Sequence, residues 1–312
     1  MEELIMSSKA PGRRPASLWN PTGWSGARAV TLVAVSTLAL TSCGAETDSA
    51  DPAGPSEGGE GENLEHVHGL DVDPSDGSLM IASHYGLFKL HDDGPRRVSE
   101  VQDFMGFTVV DEDMLLASGH PGEGQDAPAN LGLISSADGG ATWEEVSLSG
   151  EADFHALDAM GDRVYGVDAA SGQELLISDD AGQTWQSSGA PAMASLAIDP
   201  RDADTVLGTT ESGPVISTDG GQSFTTKADA PILHHVDWAP DGTIFALDPD
   251  AGVHRSEDNG VTWEHVGEVH AGVEGHPEAL HAVDQDEVWA AVGGSILHST
   301  DGGEGFDIIH EN

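Results

Sequence analysis

An all-β chain closed into a six-bladed β-propeller is the fold this sequence predicts, and three observations predict it. The motif S-x-D-x-G-x-[TS]-[WF], or a close variant, occurs five times, at intervals of 42, 39, 39 and 43 residues. Short β-rich runs with Gly-rich turns separate the copies, and a repeat near 40 residues is the spacing of propeller blades. The repeat-bearing part, 64–312, fits six such units, and a seventh would need roughly 40 more residues.

The motif suits a tight corner between the third and fourth strands of a blade. Its copies carry Ser136, Asp138, Gly140 and Trp143; Ser178, Asp180, Gly182 and Trp185; Ser217, Asp219, Gly221 and Phe224; Ser256, Asp258, Gly260 and Trp263; and Ser299, Asp301, Gly303 and Phe306. Ser and Asp bond the turn's own backbone, Gly supplies a positive φ, and the aromatic ring wedges between sheets. The first unit lacks an intact copy, with residues 87–94 standing in its place. Laid on one another, the units begin their first strands near His66, Met105, Phe154, Met193, Leu233 and Leu280. The last unit completes its own fourth strand, so the ring is expected to close by packing of the sixth blade on the first, with no exchanged strand.

Residues 1–42 read as an export signal rather than as fold. Arg13, Arg14 and Arg28 precede a mostly apolar run over 29–40, too short for a permanent span. The run ends in Leu40-Thr41-Ser42-Cys43, which resembles a bacterial lipobox, so Cys43 is expected to become the lipidated first residue. It is the only cysteine, which excludes an intrachain disulfide. Residues 43–63 are rich in Gly, Glu, Ser, Asp and Pro without apolar period and read as a flexible acidic tether. These features place the chain in a bacterial envelope, on the outer face of the cytoplasmic membrane.

After cleavage, seven basic residues would face 53 acidic ones (11 − 4 and 55 − 2), a net charge of 7 − 53 = −46. Such a surface repels nucleic acid and anionic headgroups. The partners expected are therefore the membrane, through the lipid at Cys43, and a small ligand, glycan or protein at the propeller mouth.

Histidines concentrate where that mouth should lie. At the start of the first strands the six units carry His68, Met105, His155, Ala194, His234 and His281, and three residues on stand Asp71, Asp158, Asp237 and Asp284 in the four His-bearing units. Loops on the same face add His84, Tyr85 and His120. Converging imidazoles suit copper or zinc, and His68, His84, His120 and His155, from the first three blades, are the metal set expected. Two other readings remain open: acid/base work in a substrate cleft, or a position that recurs because the blades share one ancestor.

The five motifs resemble the Asp-box, or BNR, repeat of sialidases, sortilin-type receptors and related propellers. Segments such as His66-Val67-His68-Gly69-Leu70 and Ser118-Gly119-His120-Pro121 resemble bacterial Asp-box lipoproteins labelled as glycosyl hydrolase-like. The resemblance implies the fold, and glycoside hydrolysis as the alternative to a binding or assembly module. Sialidases hold their substrate with an arginine cluster, and none of Arg96, Arg97, Arg163, Arg201 and Arg255 is expected at the mouth. Sialidase turnover is therefore not expected; Tyr85, Glu123 and Asp126 are the catalytic candidates for another sugar.

Overall fold

Six four-stranded antiparallel sheets, each made of four consecutive strands in the order 1-2-3-4, form the ring. The computed structural model describes residues 64–112, 114–227, 230–269 and 272–312; the segments expected to be an export signal and a tether, with Cys43, lie outside them. The innermost strands are Val67–Val72, Asp103–Asp111, Phe154–Met160, Ser195–Asp199, His235–Trp238 and Pro277–Ala282 for blades 1 to 6. Each packs against the innermost strands of both neighbours, and blade 6 closes on blade 1 without exchange. Blade 6 departs from the expected register: its first strand begins at Pro277, three residues before Leu280.

Apolar residues alternate along the strands and meet between blades. Leu64, Val67, Ile81 and Phe88 of blade 1 share a cluster with Ala279, Ala291 and Ile296 of blade 6, so the closure is a core contact. Burial of such side chains contributes about 1.5–3 kcal/mol each.

All five motifs turn between third and fourth strands. In the second of them Ser178 Oγ accepts the Gly182 N–H at 2.9 Å and donates to Asp180 Oδ1 at 2.8 Å. Asp180 then accepts Thr184 N–H at 2.8 Å and its hydroxyl at 2.7 Å. The glycine is fixed by more than its φ of 79°: a Cβ on Gly182 would lie 2.1 Å from Leu133 of the preceding blade. Gly140 and Gly221 stand likewise against Leu87 and Ile177, so the turn also spaces the blades. Ser178 is 1% exposed, and Ser178→Ala is expected to cost about 1–3 kcal/mol by orphaning buried donors. A denaturant titration against wild type measures it.

Neighbouring blades are also stitched by carboxylates in the channel. Asp71 accepts the N–H of Val72 and, across the seam, of Val109; Asp158 accepts those of Ala159 and Ile198; Asp237 accepts those of Trp238 and Ala282, all at 2.7–2.8 Å. The stitches start from blades 1, 3 and 5 and reach blades 2, 4 and 6. The other three seams are crossed nearer the mouth, where Phe154 N–H donates to Ser118 Oγ, Val236 N–H to Ser195 Oγ and Val67 N–H to Glu278 Oε2.

Candidate functional site: the histidine-lined mouth

The pairing of first and second strands slips by one residue near the top of blades 1, 2, 3 and 6. The residue in each slip is His68, Met105, His155 and Glu278. Ala194 and His234 hold the matching place in blades 4 and 5, where their N–H groups bond Thr209 and Leu247. A bulge re-aims its side chain, here at the rim of the channel. Three residues on, about 10 Å deeper, the stitched layer carries Asp71, Thr108, Asp158, Ala197, Asp237 and His281.

The sixth blade therefore corrects the sequence reading. His281 belongs to the deep layer, and Glu278 takes its place at the mouth. Asp284 is exposed in a turn, accepting the N–H of Asp286 and Glu287 at 2.8 Å.

At the mouth, blade 1 brings three imidazoles together. One ring nitrogen from each of His66, His68 and His84 lies within 4.8 Å of the others. His66 stacks on His68 with centroids 4.7 Å apart, and the His84 ring stands edge-on to both. The Nε2 atoms of His68 and His84 are 3.4 Å apart. His84 Nδ1 lies 2.9 Å from Asp103 Oδ1. A carboxylate only accepts, so Nδ1 carries the proton and Nε2 of the neutral ring presents its lone pair to the group, as ligating histidines do. Burial, then the neighbouring His66, His84, His155 and His120, push His68 down to about 3, so its ring is neutral at pH 7.

Blades 2 and 3 supply a second group beside it. His155 Nε2 lies 2.9 Å from Asp153 Oδ2, and His120 Nε2 lies 3.7 Å from the same oxygen. His120 Nδ1 is held by the Ala129 carbonyl at 2.9 Å. His120 ends the strand Met114–His120 rather than lying on a loop, and that strand end runs tight against its neighbour: a Cβ on Gly119, whose φ is 149°, would meet the Asp103 carbonyl at 1.9 Å.

His234 is exposed and stands edge-on to His235, which reaches the Pro277 carbonyl at 3.2 Å. Tyr85 is 40% exposed on the loop beside His84, and Glu123 and Asp126 are exposed on the loop after His120. Of the expected metal set, then, His68 and His84 meet, while His120 and His155 converge on Asp153. His66, Asp103 and Asp153 escaped the sequence reading, although each lies two residues before a bulge residue.

Deeper in the channel, His281 Nδ1 lies 3.1 Å from Asp237 and 3.7 Å from Asp71. Among the described residues no cation forms an ion pair with Asp158 as His281 does with Asp237 and Asp71. Burial, against its two backbone bonds and with the nearby Asp237 and Asp71, raises it to about 7. An acid raised in the folded state loses stabilisation as pH climbs from its unfolded value of 3.8 through 7. Asp158→Asn removes that titration, so the variant should gain on wild type by on the order of 2 kcal/mol between pH 5 and pH 8. Urea denaturation at the two pH values measures the change.

The comparisons agree with this architecture. The BNR/Asp-box repeat model matches residues 176–187, one of the five turns. The chain is a six-bladed propeller carrying Asp-box repeats. No curated protein matches it by sequence. Among solved structures it is similar to a GH74 enzyme of Niastella koreensis (14% identity, TM-score 0.59, covering 80% of this chain and 46% of that one). It is also similar to a GH74 xyloglucanase from Xanthomonas campestris (16%, 0.55, 79% and 45%). A gluconolactonase from the same organism matches at 13%, with a TM-score of 0.59 and coverage of 79% and 87%. The chain thus spans less than half of either GH74 enzyme, and at these identities the likeness is one of fold.

Proposed function

We propose that the chain is a lipid-anchored extracytoplasmic propeller that binds its ligand at the channel mouth, through a transition metal held by His66, His68 and His84. The carrying observation is that one ring nitrogen from each of the three histidines lies within 4.8 Å of the other two. Around a tetrahedral ion with bonds of about 2.0–2.1 Å, ligand atoms stand about 3.3–3.4 Å apart; the Nε2 atoms of His68 and His84 are 3.4 Å apart. Three imidazoles fit zinc or copper, and they leave a coordination position for a ligand. The metal supplies Lewis acidity there; Asp103 orients His84, and Glu278, 3.7 Å from His66 Nε2, flanks the group. The glycoside-hydrolase alternative gains no support from the mouth, where Asp103 and Asp153 are each engaged by a histidine.

Equilibrium dialysis of the full chain with zinc tests the reading. His68→Ala and His84→Ala should each lower affinity by about 100-fold or more, since even outer-shell changes cost 10–100-fold; unchanged uptake in both variants contradicts it. The anchor rests on the lipobox-like sequence, and mass spectrometry of detergent-extracted protein should find an acylated Cys43 terminus.

A further inference from the structure

One histidine at the mouth is placed to move protons rather than to hold an ion. His155 Nε2 lies 2.9 Å from Asp153 Oδ2, and a carboxylate only accepts, so the ring's hydrogen is on Nε2. The neutral ring keeps its lone pair on Nδ1. Among the described residues that nitrogen has no hydrogen-bond partner, and the side chain is 42% exposed in the bulge at the rim. Other close pairs of histidine and carboxylate lack this opening. His84 turns its free nitrogen to His68 at 3.4 Å, His254 is 11% exposed, and His298 is stacked on Trp289 with centroids 3.8 Å apart.

The carboxylate behind His155 is fixed. Asp153 is 8% exposed, its N–H donates to Asp168 at 2.8 Å, and its carbonyl accepts the Ala169 N–H at 2.8 Å. Its Oδ1 has no hydrogen-bond partner among the described residues. His120 Nε2, 3.7 Å from Oδ2, offers only a lone pair, because the hydrogen of that ring is on Nδ1, facing the Ala129 carbonyl. His155 is therefore the donor that Asp153 bonds, and the positive charge His155 gains with a proton is met at once. The bond to Asp153 raises His155 above its ordinary value against burial, and Asp103 and Asp168 add to the rise. His120 and His68 are the other titratable side chains facing the pair.

We propose that His155, held by Asp153, is the general base of a hydrolytic site at the mouth whose substrate is an uncharged carboxylic ester. Nδ1 takes a proton from water as the water oxygen bonds the acyl carbon; the acyl C–O bond then breaks, and Nδ1 returns the proton to the departing alkoxide. A carboxylic acid and an alcohol result, and nothing is oxidised or reduced. A base titrating near neutrality suits addition of water to an acyl carbon. A glycoside instead needs two carboxyl groups flanking the scissile bond, and here Asp103 and Asp153 are each engaged by a histidine. The rim residues His68, Met105, His155, Ala194, His234 and Glu278 include no lysine or arginine to hold an anionic substrate. The inference rests on the mouth being the ligand site and needs no ion at blade 1.

Hydrolysis of p-nitrophenyl acetate by the full chain tests it, once with zinc added and once with a chelator. Saturable turnover is expected in at least one condition, with kcat/KM lower by about 100-fold or more in His155→Gln. His91→Gln, which removes an exposed histidine at the end of the third strand of blade 1, should leave it unchanged. Asp153 is a positioning residue. In Asp153→Asn the rate should fall and the acid limb of the pH profile should move to lower pH, because loss of the carboxylate lowers His155; a purely structural part would leave the limb in place. Circular dichroism checks that each variant is folded, and the exposed His155→Gln keeps the test sound should Asp153→Asn unfold. Turnover that needs His155 in a chain that takes up no zinc supports the base and overturns only the blade 1 metal. Zinc uptake without turnover overturns only the base. Turnover retained in His155→Gln, a limb that stays in place, or release from p-nitrophenyl glucoside and not from the acetate overturns it as well.

Discussion

Replacing His281 by glutamine should destabilise the propeller by about 3–5 kcal/mol at pH 6, the loss expected when one partner is removed from a buried charged group. His281 stands in the channel between Asp237, 3.1 Å away, and Asp71, 3.7 Å away, and all three side chains are about three-quarters or more buried. Burial alone would strip its proton. Asp71, the bond to Asp237 and the more distant Asp158 outweigh burial and raise His281 to about 9, from 6.5 in the unfolded chain. A base raised by folding contributes fully below pH 6.5 and loses its contribution as pH rises through 9. The gap between wild type and His281→Gln should therefore be widest near pH 6 and shrink toward pH 10. Urea denaturation at both values reads it; a gap that stays constant would mean that His281 acts only by packing.

Glu278→Ala is the second large effect, about 3 kcal/mol, because one carboxylate oxygen satisfies two backbone donors at the seam where the ring closes. Glu278 Oε2 accepts the Val67 N–H of blade 1 at 3.1 Å and the Gly294 N–H of its own blade at 2.9 Å, with its side chain 7% exposed. Truncation leaves both donors unpartnered at about 1–3 kcal/mol each, partly relieved by water. Glu278→Gln should recover most of the loss, since a single amide oxygen can accept both hydrogens. Thermal melts of the two variants separate the cases: an equal loss in both would assign the effect to charge instead.

The repeats made the architecture legible. Ser, Asp and Gly in the motif are fixed by bonds inside one turn, and such local chemistry survives in sequence spacing. The same phase located His68, Met105, His155, Ala194 and His234 at the tops of five inner strands. Blade 6 misled because His281 and Asp284 repeat the H-x-x-D spacing of His68 and Asp71, whereas Glu278 and His281 occupy those places in space. The alternation of the deep aspartate stitches accounts for the difference. The channel aspartates are needed only on the blades that donate a stitch, so the even blades are free to carry Thr108, Ala197 and His281. His66, Asp103 and Asp153 were hidden for another reason. They share a place two residues before the bulge but differ in type from blade to blade, and two of them are acids in a chain with 55 acidic residues; only ring stacking and cross-blade bonds single them out.

X-ray absorption spectroscopy on the full chain loaded with zinc tests the central claim most directly. Imidazole scattering from three nitrogens at about 2.0–2.1 Å, with one further light ligand, is the predicted result. A shell of oxygens alone, marking zinc held by the acidic surface, would contradict it.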